Sequence, residues 1–401
     1  MLLITCPPWL AQICKKELAY LDHKSQVYGP ATLFVQEKDE SDIAKLNIWL
    51  RTANKISLVV DSRQTETFDE LFDFVFEQPW DKIISADQLV LVEWSTYMSQ
   101  LASLPAIQKI VKKAITKKLM NGTDAQWTED KSKGIIYISV MLHQNKAVIS
   151  LNSSGDSLHR RWYRMSTGDA PIKETIAAGL VISSWWKFHE MFLDPCCGSG
   201  TIAIEAAMIA KNIAPGLHRK FAFEDRSRYK SSYLVDAKAT AKWVQVHKSH
   251  TIIASDIDSE MIVKAKNNAK KAWLSEDAIQ WSVKPCQDFI EIFDSKFWIL
   301  NNKEDKWEVP NEEDHLEFII QHSKFQWAMV ANPPYGIRMT PWDIDEIHST
   351  LFALAEKHDL SGGIVTAYTD ADRCCKNKDR RTTMIIKNGA EDTTFWKKKE
   401  K

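Results

Sequence analysis

The chain has 401 residues, of which 44% are hydrophobic and 26% charged, so it can form two or three packed domains and is not expected to be disordered. It begins Met1-Leu2-Leu3-Ile4 without a basic leader, and no stretch approaches the roughly 18 uninterrupted apolar residues of a membrane span, which predicts a cytoplasmic protein. A net charge of -1 argues against strong non-specific nucleic-acid binding, so any such partner must be held by local basic patches.

The first 150 or so residues contain short runs of alternating apolar and polar side chains, which predicts one α+β unit or two small ones. The runs with strand character are 31–35, 57–60, 89–94, 135–142 and 147–151. A helix is predicted at 107–119, where apolar residues recur at helical spacing and lysines fill the polar positions. That lysine face is compatible with plain solvation and equally with contacts to RNA phosphates.

A change of pattern follows near the middle of the chain. Residues 153–156 (Ser-Ser-Gly-Asp) predict a turn, and 159–164 form a compact basic-aromatic segment that suits either an RNA surface or an interdomain linker packed by its aromatic rings. After Pro171 we predict a helix at 174–186, a strand at 191–193 and βα alternation to about residue 370. This alternation indicates a parallel sheet with helices on both faces.

The end of the chain predicts an antiparallel hairpin, with strands at 380–386 and 392–396 around an Asn388-Gly389 turn. Two segments, 217–250 and 296–324, are interpreted as insertions into the βα scheme. Seven cysteines include the adjacent pairs 196–197 and 374–375 but no Cys-x-x-Cys and no zinc-ligand spacing. We therefore expect reduced, mostly buried thiols and no metal site.

A glycine-rich turn, residues 193–201 (Leu-Asp-Pro-Cys-Cys-Gly-Ser-Gly-Thr), follows the 191–193 strand and opens an apolar helix at 202–210. Such a turn lets the backbone approach a ligand, and the helix N-terminus favours a carboxylate. The spacing lacks the third glycine of the dinucleotide fingerprint, and Asp194 precedes the turn. The pattern fits the amino and carboxyl ends of S-adenosylmethionine better than a pyrophosphate.

Acidic residues follow the next two predicted strands. Asp256 ends the strand 252–256, where such sheets place a carboxylate for both ribose hydroxyls, and Asp258 is predicted to cap the following helix. Asp288 follows a third strand at 279–283 and is a candidate acceptor for an adenine amine, with an ordinary exposed loop residue as the alternative.

The most informative motif is Asn332-Pro333-Pro334-Tyr335, after an apolar strand at 327–331. The prolines hold the chain extended, so the Asn332 side-chain oxygen and a carbonyl of the proline pair can accept from one NH2 group. Orienting the lone pair of an exocyclic amine toward a methyl donor supplies much of the catalysis through alignment. Tyr335 offers a ring for stacking on an extruded base, so these four residues are the predicted catalytic set.

Taken together, these motifs resemble the THUMP-domain RNA guanine-N2 methyltransferases, and among them the subgroup that modifies 23S ribosomal RNA. The resemblance rests on the 194–201 turn, on residues 170–175 and 214–219, and on the Asn332 tetrad. It spans nearly the whole chain, because residues 151–164 match the family's junction between RNA-binding and catalytic halves. The insertion at 296–324 is longer than the subgroup leads us to expect.

The resemblance implies an α/β fold: a Rossmann-like class I methyltransferase domain at 181–401, preceded by an α+β ferredoxin-like domain at 1–60, a THUMP domain at 61–155 and a helical linker at 156–180. It implies S-adenosyl-L-methionine as cofactor and RNA as partner, with 23S ribosomal RNA ahead of transfer RNA. Monomer and homodimer remain open. The expected cofactor-binding residues are Pro171, Thr175, Asp194, Pro195, Cys197, Gly198, Gly200, Thr201, Asp256, Ile257, Asp288 and Asn332.

Three alternatives remain beside this prediction. The same chemistry could act on transfer RNA, since nothing in the sequence separates the two substrates. DNA adenine methylation is disfavoured by the N-terminal region. A catalytically inactive RNA-binding assembly factor is the third alternative. The intact site residues argue against it, namely Asp194, Gly198, Gly200, Asp256 and Asn332.

Overall fold

The computed structural model describes residues 1–85, 88–120, 128–164, 172–188, 190–226, 229–248, 250–293, 327–334, 341–367, 374, 381–388 and 391–398. The strands are β1 (Leu2–Thr5), β2 (Ser25–Gly29), β3 (Thr32–Val35), β4 (Lys55–Gln64), β5 (Gln88–Tyr97), β6 (Asp130–His143), β7 (Lys146–Asn152), β8 (Met191–Asp194), β9 (Ile252–Asp256), β10 (Gln280–Val283), β11 (Trp327–Ala331), β12 (Ser361–Ala367), β13 (Arg381–Asn388) and β14 (Glu391–Lys398). The helices are α1 (Ala11–Tyr20), α2 (Ser41–Trp49), α3 (Phe68–Phe76), α4 (Trp80–Ile83), α5 (Leu104–Leu119), α6 (Glu174–Ser183), α7 (Thr201–Ala210), α8 (Ser231–Trp243), α9 (Ser259–Lys271) and α10 (Pro341–Lys357).

Two compact units form, and neither is continuous in sequence. The first contains residues 1–6, 14–159 and 215–243, and the second contains residues 7–13, 160–214 and 244–401. Most of the segment predicted as an insertion at 217–250 is therefore part of the first unit. The predicted domain limits at residues 60, 155 and 180 remain predictions.

The first unit is built on a seven-stranded sheet with the order β2-β3-β1-β4-β7-β6-β5, antiparallel except between β5 and β6. Helices α3 and α5 cover one face, because their apolar stripes include Phe74, Ile107 and Ile115, which are fully buried with the inward side chains of β5, β6 and β7. The helix predicted at 107–119 is confirmed. Strands β1 and β2 were missed because they are short and β2 has few apolar residues.

Residues 215–243 join this unit through α2. The Gly216 amide donates to the Ile48 carbonyl at 2.8 Å, and α8 packs against α2. A side chain at Gly216 would lie 2.4 Å from the Asn47 carbonyl oxygen, so only glycine permits this approach. The chain therefore returns to the first unit before it enters β9.

The second unit carries a seven-stranded sheet with the order β10-β9-β8-β11-β12-β14-β13. The first five strands are parallel and β14 is antiparallel to β12 and β13, which confirms the predicted parallel sheet closed by an antiparallel hairpin. Residue 389 of the predicted turn and the insertion at 296–324 lie outside the described residues.

Apolar side chains of β8 alternate between two hydrophobic clusters, as strands buried on both faces require. Phe192 packs with residues of α6, α7 and α9, whereas Leu193 packs with residues of α10 and of a short helix at 288–293. Helices on both faces are thereby confirmed. Asp258 caps α9 as predicted, since its side chain accepts from the Glu260 amide at 2.8 Å. None of the described helices is both long and apolar enough to span a bilayer.

Candidate active site at the carboxyl edge of the second sheet

The second sheet reverses its strand order between β8 and β11. From β8, the strands β9 and β10 lie on one side, and β11 and β12 lie on the other. In open parallel sheets a ligand crevice forms outside the carboxyl ends of the strands at such a reversal. The turns that follow β8, β9, β10 and β11 share this edge and contain most of the predicted site residues.

Backbone hydrogen bonds tie the turn after β8 to the end of β9. The Cys197 amide donates to the Ser255 carbonyl at 2.8 Å, and the Gly198 amide donates to the Asp256 carboxylate at 2.8 Å. Within the turn, the Gly200 amide donates to the Cys197 carbonyl at 2.8 Å. Three predicted residues, Cys197, Gly198 and Asp256, are thus brought together by direct contacts.

The two glycines of this turn have left-handed φ angles, +52° at Gly198 and +84° at Gly200. A Cβ atom at Gly200 would lie 2.9 Å from Ala265 and 2.9 Å from the Trp281 ring, so this glycine permits close packing of α9 and β10. A Cβ atom at Gly198 would meet nothing within 4 Å. Gly198 therefore exposes backbone beside open space, which is the environment a close-fitting ligand needs.

Asp194, the last residue of β8, is fully buried. Burial raises the pKa of its carboxyl group well above the ordinary range, the negative charge of Asp256 raises it further, and the amides of Cys196 and Ala203 partly offset both effects. Among the described residues, no side chain donates a hydrogen bond to either carboxyl oxygen. Such a group is suited to receiving a cationic donor from a ligand.

The Asp256 carboxylate already accepts two amides, from Gly198 at one oxygen and from Asp258 at the other, at 2.8 and 3.0 Å. Each carboxylate oxygen has a further lone pair, so hydroxyl groups of a ligand can be accepted as well. Beside it, the Ile257 side chain is 74% exposed and Val283, paired with Asp256 across the strands, is 52% exposed. This edge therefore offers acceptors next to apolar side chains.

Asp288 begins the short helix at 288–293, and its amide donates to the Pro285 carbonyl at 3.3 Å. The residue is half-buried and lies beyond the carboxyl end of β10. Its predicted contact with an adenine amine stays a prediction.

Asn332 directly follows β11, whose register with β8 pairs Met329 with Leu193. The residue is half-buried, and its side-chain Oδ1 is enclosed without a hydrogen-bond partner in the described part of the chain. Pro333 is buried and Pro334 half-buried. A buried amide oxygen without a donor is costly, so this atom is held ready for an external donor.

The other predicted residues are distributed around this edge. Pro195, Cys197 and Thr201 are buried in the turn or in the first turn of α7, and Thr175 is fully buried in the first turn of α6, which packs on α7. Pro171 and Tyr335 lie outside the described residues.

The structure argues against the interpretation of the basic-aromatic segment at 159–164 as a surface that binds RNA. Arg161 is 5% exposed and lies 3.4 Å from the Glu205 carboxylate on α7, to which the hydroxyl of the buried Tyr163 donates at 2.9 Å. These side chains pack inside the second unit, which favours the linker interpretation, and only Arg160 of the segment's arginines is exposed. The sequence signal for this pairing was a glutamate on an otherwise apolar helix.

Arg164 extends this network toward α6. Its guanidinium lies 3.1 Å from the Glu174 carboxylate and donates to the Ile172 carbonyl at 2.9 Å. Burial raises the pKa of Glu174, and the charge of Arg164 opposes that rise. Sequence reasoning did not identify Arg161, Arg164 or Glu205 as supports of the site, although α6 and α7 both border it.

Comparison with known proteins identifies the family to which the chain belongs. The family described as "RMKL-like, methyltransferase domain" matches residues 161–299. Over 347 residues the chain is 37% identical to Putative RNA methyltransferase YpsC of Bacillus subtilis strain 168, and the match covers 84% of this chain and 80% of that protein. The chain belongs to the RMKL-like methyltransferase family.

Other relatives of this RMKL-like methyltransferase differ in length. It is 28% identical over 402 residues to the Ribosomal RNA large subunit methyltransferase K/L of Saccharophagus degradans, covering 97% of this chain but 49% of that protein. The crystal structure of SMU.472, a putative methyltransferase complexed with SAH, superposes with a TM-score of 0.80 at 28% identity and covers 100% of this chain and 98% of that one. The predicted Rossmann-like methyltransferase fold is confirmed.

Proposed function

We propose that this protein transfers a methyl group from S-adenosylmethionine to the exocyclic N2 amine of a guanine in RNA, with 23S ribosomal RNA as the substrate. The single observation that carries the proposal is the enclosed Oδ1 of Asn332 at the strand-order reversal, which has no hydrogen-bond partner among the described residues. The chemistry is methyl transfer to a planar NH2 group, and the choice of RNA and guanine rests on relatives and on the family resemblance.

The residues of this edge fit the cofactor. The open space beside Gly198 admits a close backbone approach, and the N-terminus of α7 suits the methionine carboxylate. Asp194 would accept from the cationic amino group, Asp256 from the ribose hydroxyls and Asp288 from the adenine amine. Ile257 and Val283 would contact the adenine ring. The cofactor supplies a methyl group on a positively charged sulfur.

Asn332 would orient the target amine. Its Oδ1 accepts one N–H of the guanine NH2 group, and the Pro333 carbonyl accepts the other. The two acceptors fix the direction of the nitrogen lone pair, and alignment of this kind replaces a strong general base because the proton can leave after transfer. Tyr335 would stack on the extruded base.

RNA as the substrate class is supported by the relatives' names, which are Putative RNA methyltransferase YpsC and Ribosomal RNA large subunit methyltransferase K/L. The chain spans about half the length of the second relative.

Nucleoside analysis by mass spectrometry tests the proposal. Ribosomal and transfer RNA are purified from cells with and without the gene, and we expect N2-methylguanosine to be lost from one site in 23S RNA. Loss of N2-methylguanosine from transfer RNA instead would identify transfer RNA as the substrate. Unchanged methylation of both RNAs, together with no binding of S-adenosylhomocysteine by calorimetry, would support an inactive assembly factor.

Complementation with Asn332→Ala separates chemistry from cofactor binding. The variant should fail to restore the modified nucleoside while binding S-adenosylhomocysteine within about threefold of the wild type, because an orienting acceptor acts mainly on the aligned complex. The matched control is Asn267→Ala, on the exposed face of α9, which should restore the modification fully. Normal methylation by the Asn332→Ala protein would contradict the catalytic role assigned to residues 332–335.

A further inference from the structure

A polar side chain lies on the buried face of α9, the helix that packs beside the glycine turn. The buried residues of α9 are Ile262, Ala265, Asn268 and Ala269, and Asn268 is only 2% exposed. Removing an amide from water costs free energy unless hydrogen bonds replace those to water. An apolar side chain would pack here without that cost, so we expect the Asn268 amide to make a specific contact.

The Asn268 side chain makes that contact with the turn between β8 and α7. Its Nδ2 atom donates to the Ser199 carbonyl oxygen at 3.1 Å, and both residues are buried. One turn earlier on the same helix face, the Ala265 side chain lies 2.9 Å from the position that a Cβ atom at Gly200 would take. Helix α9 therefore supports two successive residues of the turn, one by a hydrogen bond and the other by packing.

The peptide group between Ser199 and Gly200 is held at both of its ends. Its carbonyl accepts from Asn268, and its N–H, which belongs to Gly200, donates to the Cys197 carbonyl at 2.8 Å. The carbonyl and the N–H of a planar trans peptide point in opposite directions. The two hydrogen bonds together therefore fix the orientation of the peptide plane.

This restraint acts on a part of the backbone that has little intrinsic stiffness. Ser199 lies between two glycines with left-handed φ angles, +52° at Gly198 and +84° at Gly200. Glycine has no Cβ atom to limit its dihedral angles, so a glycine on each side allows the intervening residue to change direction easily. Without Asn268, the Ser199–Gly200 peptide would keep only the hydrogen bond to Cys197.

We propose that Asn268 is a positioning residue for the cofactor, which holds the backbone of residues 198–200 in the conformation that receives the methionine end of S-adenosylmethionine. This role rests on the proposed function, which assigns the open space beside Gly198 and the N-terminus of α7 to that end of the cofactor. Asn268 acts through the turn, because its enclosed Nδ2 atom donates to Ser199.

The proposed role is specific to one end of the ligand. The adenosine portion is assigned to other residues, namely Asp256, Ile257, Val283 and Asp288. A turn that is already ordered avoids the free-energy cost of ordering it when the ligand binds. Loss of the Asn268 donor should therefore weaken ligands that carry the amino and carboxyl groups of methionine and should spare ligands that lack them.

Calorimetry on the full-length protein with two ligands tests this specificity. S-adenosylhomocysteine carries the amino and carboxyl groups, whereas 5′-methylthioadenosine has the adenine, ribose and sulfur but neither of these groups. In Asn268→Ala we expect affinity for S-adenosylhomocysteine to fall about tenfold or more, and affinity for 5′-methylthioadenosine to stay within about threefold of the wild type. A merely structural role would not change the ratio of the two affinities.

Two control variants separate this effect from general destabilisation. Asn267→Ala replaces the neighbouring asparagine, which is exposed, and should bind both ligands like the wild type. Leu274→Ala removes a buried apolar side chain just after α9 and should lower the midpoint of urea unfolding without changing either affinity. A change in the affinity ratio in Leu274→Ala equal to that in Asn268→Ala would overturn the proposal.

Asn268→Leu is a second test that does not depend on the fold tolerating a smaller side chain. Leucine has a similar size and suits the apolar face of α9, but it cannot donate to Ser199, so the same selective loss should appear. An equal loss for both ligands, or wild-type affinity for S-adenosylhomocysteine, would overturn the role of Asn268 alone. Binding of neither ligand by the wild type would contradict the proposed function and this role with it.

Discussion

At Gly198 and Gly200, the same residue type meets two different requirements within one turn. Gly200 is needed because α9 and the Trp281 ring leave no room for a side chain, and Gly198 because its backbone turns left-handed beside open space. The first requirement concerns packing and the second concerns a ligand. A side chain at each position should therefore have a different effect.

Gly200→Ala should reduce stability, and Gly198→Ala should reduce affinity. Strain in the left-handed region costs about 1–2 kcal/mol at either site, and overpacking at Gly200 adds about 1–3 kcal/mol. At Gly198 the methyl group enters the space assigned to the cofactor, so affinity for S-adenosylhomocysteine should fall at least tenfold. Urea unfolding and calorimetry measure the two effects, and wild-type affinity in Gly198→Ala would contradict the ligand assignment.

At the scale of elements, buried charges rather than apolar contacts alone connect the segment 161–164 to the helices of the site. Arg161 pairs with Glu205 on α7, and Arg164 pairs with Glu174 on α6, with the side chains of the first pair 1% and 0% exposed. A buried ion pair contributes little net stability, but loss of one partner leaves an uncompensated charge. The segment should consequently be sensitive to single substitutions.

Glu205→Ala should destabilise the protein by about 3–5 kcal/mol, because the Arg161 charge loses its buried carboxylate. Glu205→Gln should cost less, since its amide oxygen can still accept from Tyr163. The exposed Glu291→Ala, in the same unit, is the control and should change the unfolding free energy by less than about 0.5 kcal/mol. Equal unfolding midpoints for Glu205→Ala and Glu291→Ala would show that the contacts of Glu205 with Arg161 and Tyr163 contribute nothing to the free energy of unfolding.

At the scale of the whole molecule, each compact unit is assembled from segments that are not continuous in sequence. Residues 215–243 lie between α7 and β9 in sequence, yet they pack with the first unit through α2. The proposed cofactor site consists entirely of second-unit residues. Ligand binding and local stability should therefore follow the unit to which a segment belongs and not its neighbours in sequence.

Hydrogen exchange with and without saturating S-adenosylhomocysteine tests this division. A ligand stabilises the part of the structure that binds it, so amides at 195–205 and 252–258 should exchange more slowly. Amides of α8 (231–243) should be unchanged although second-unit segments flank them in sequence. Protection of α8 equal to that of α7 would contradict the assignment of α8 to the first unit's cooperative structure.

Local features of the sequence were sufficient for most strands and helices of the second unit. The limits of β9 and β11 match the prediction, and the turn between β8 and α7 was identified, because strand alternation, helix capping and glycine turns depend on neighbouring residues. The methyltransferase family could also be inferred, since the Asn332 tetrad and the glycine turn are contiguous motifs.

Only the tertiary structure decided which distant residues meet. It buried Arg161 and Tyr163 against Glu205, although a basic-aromatic sequence is typical of a surface that binds RNA. It also assigned α8 to the first unit. These contacts depend on the order of strands in the sheet, and no local periodicity encodes that order, because it is selected by packing between segments far apart in the chain.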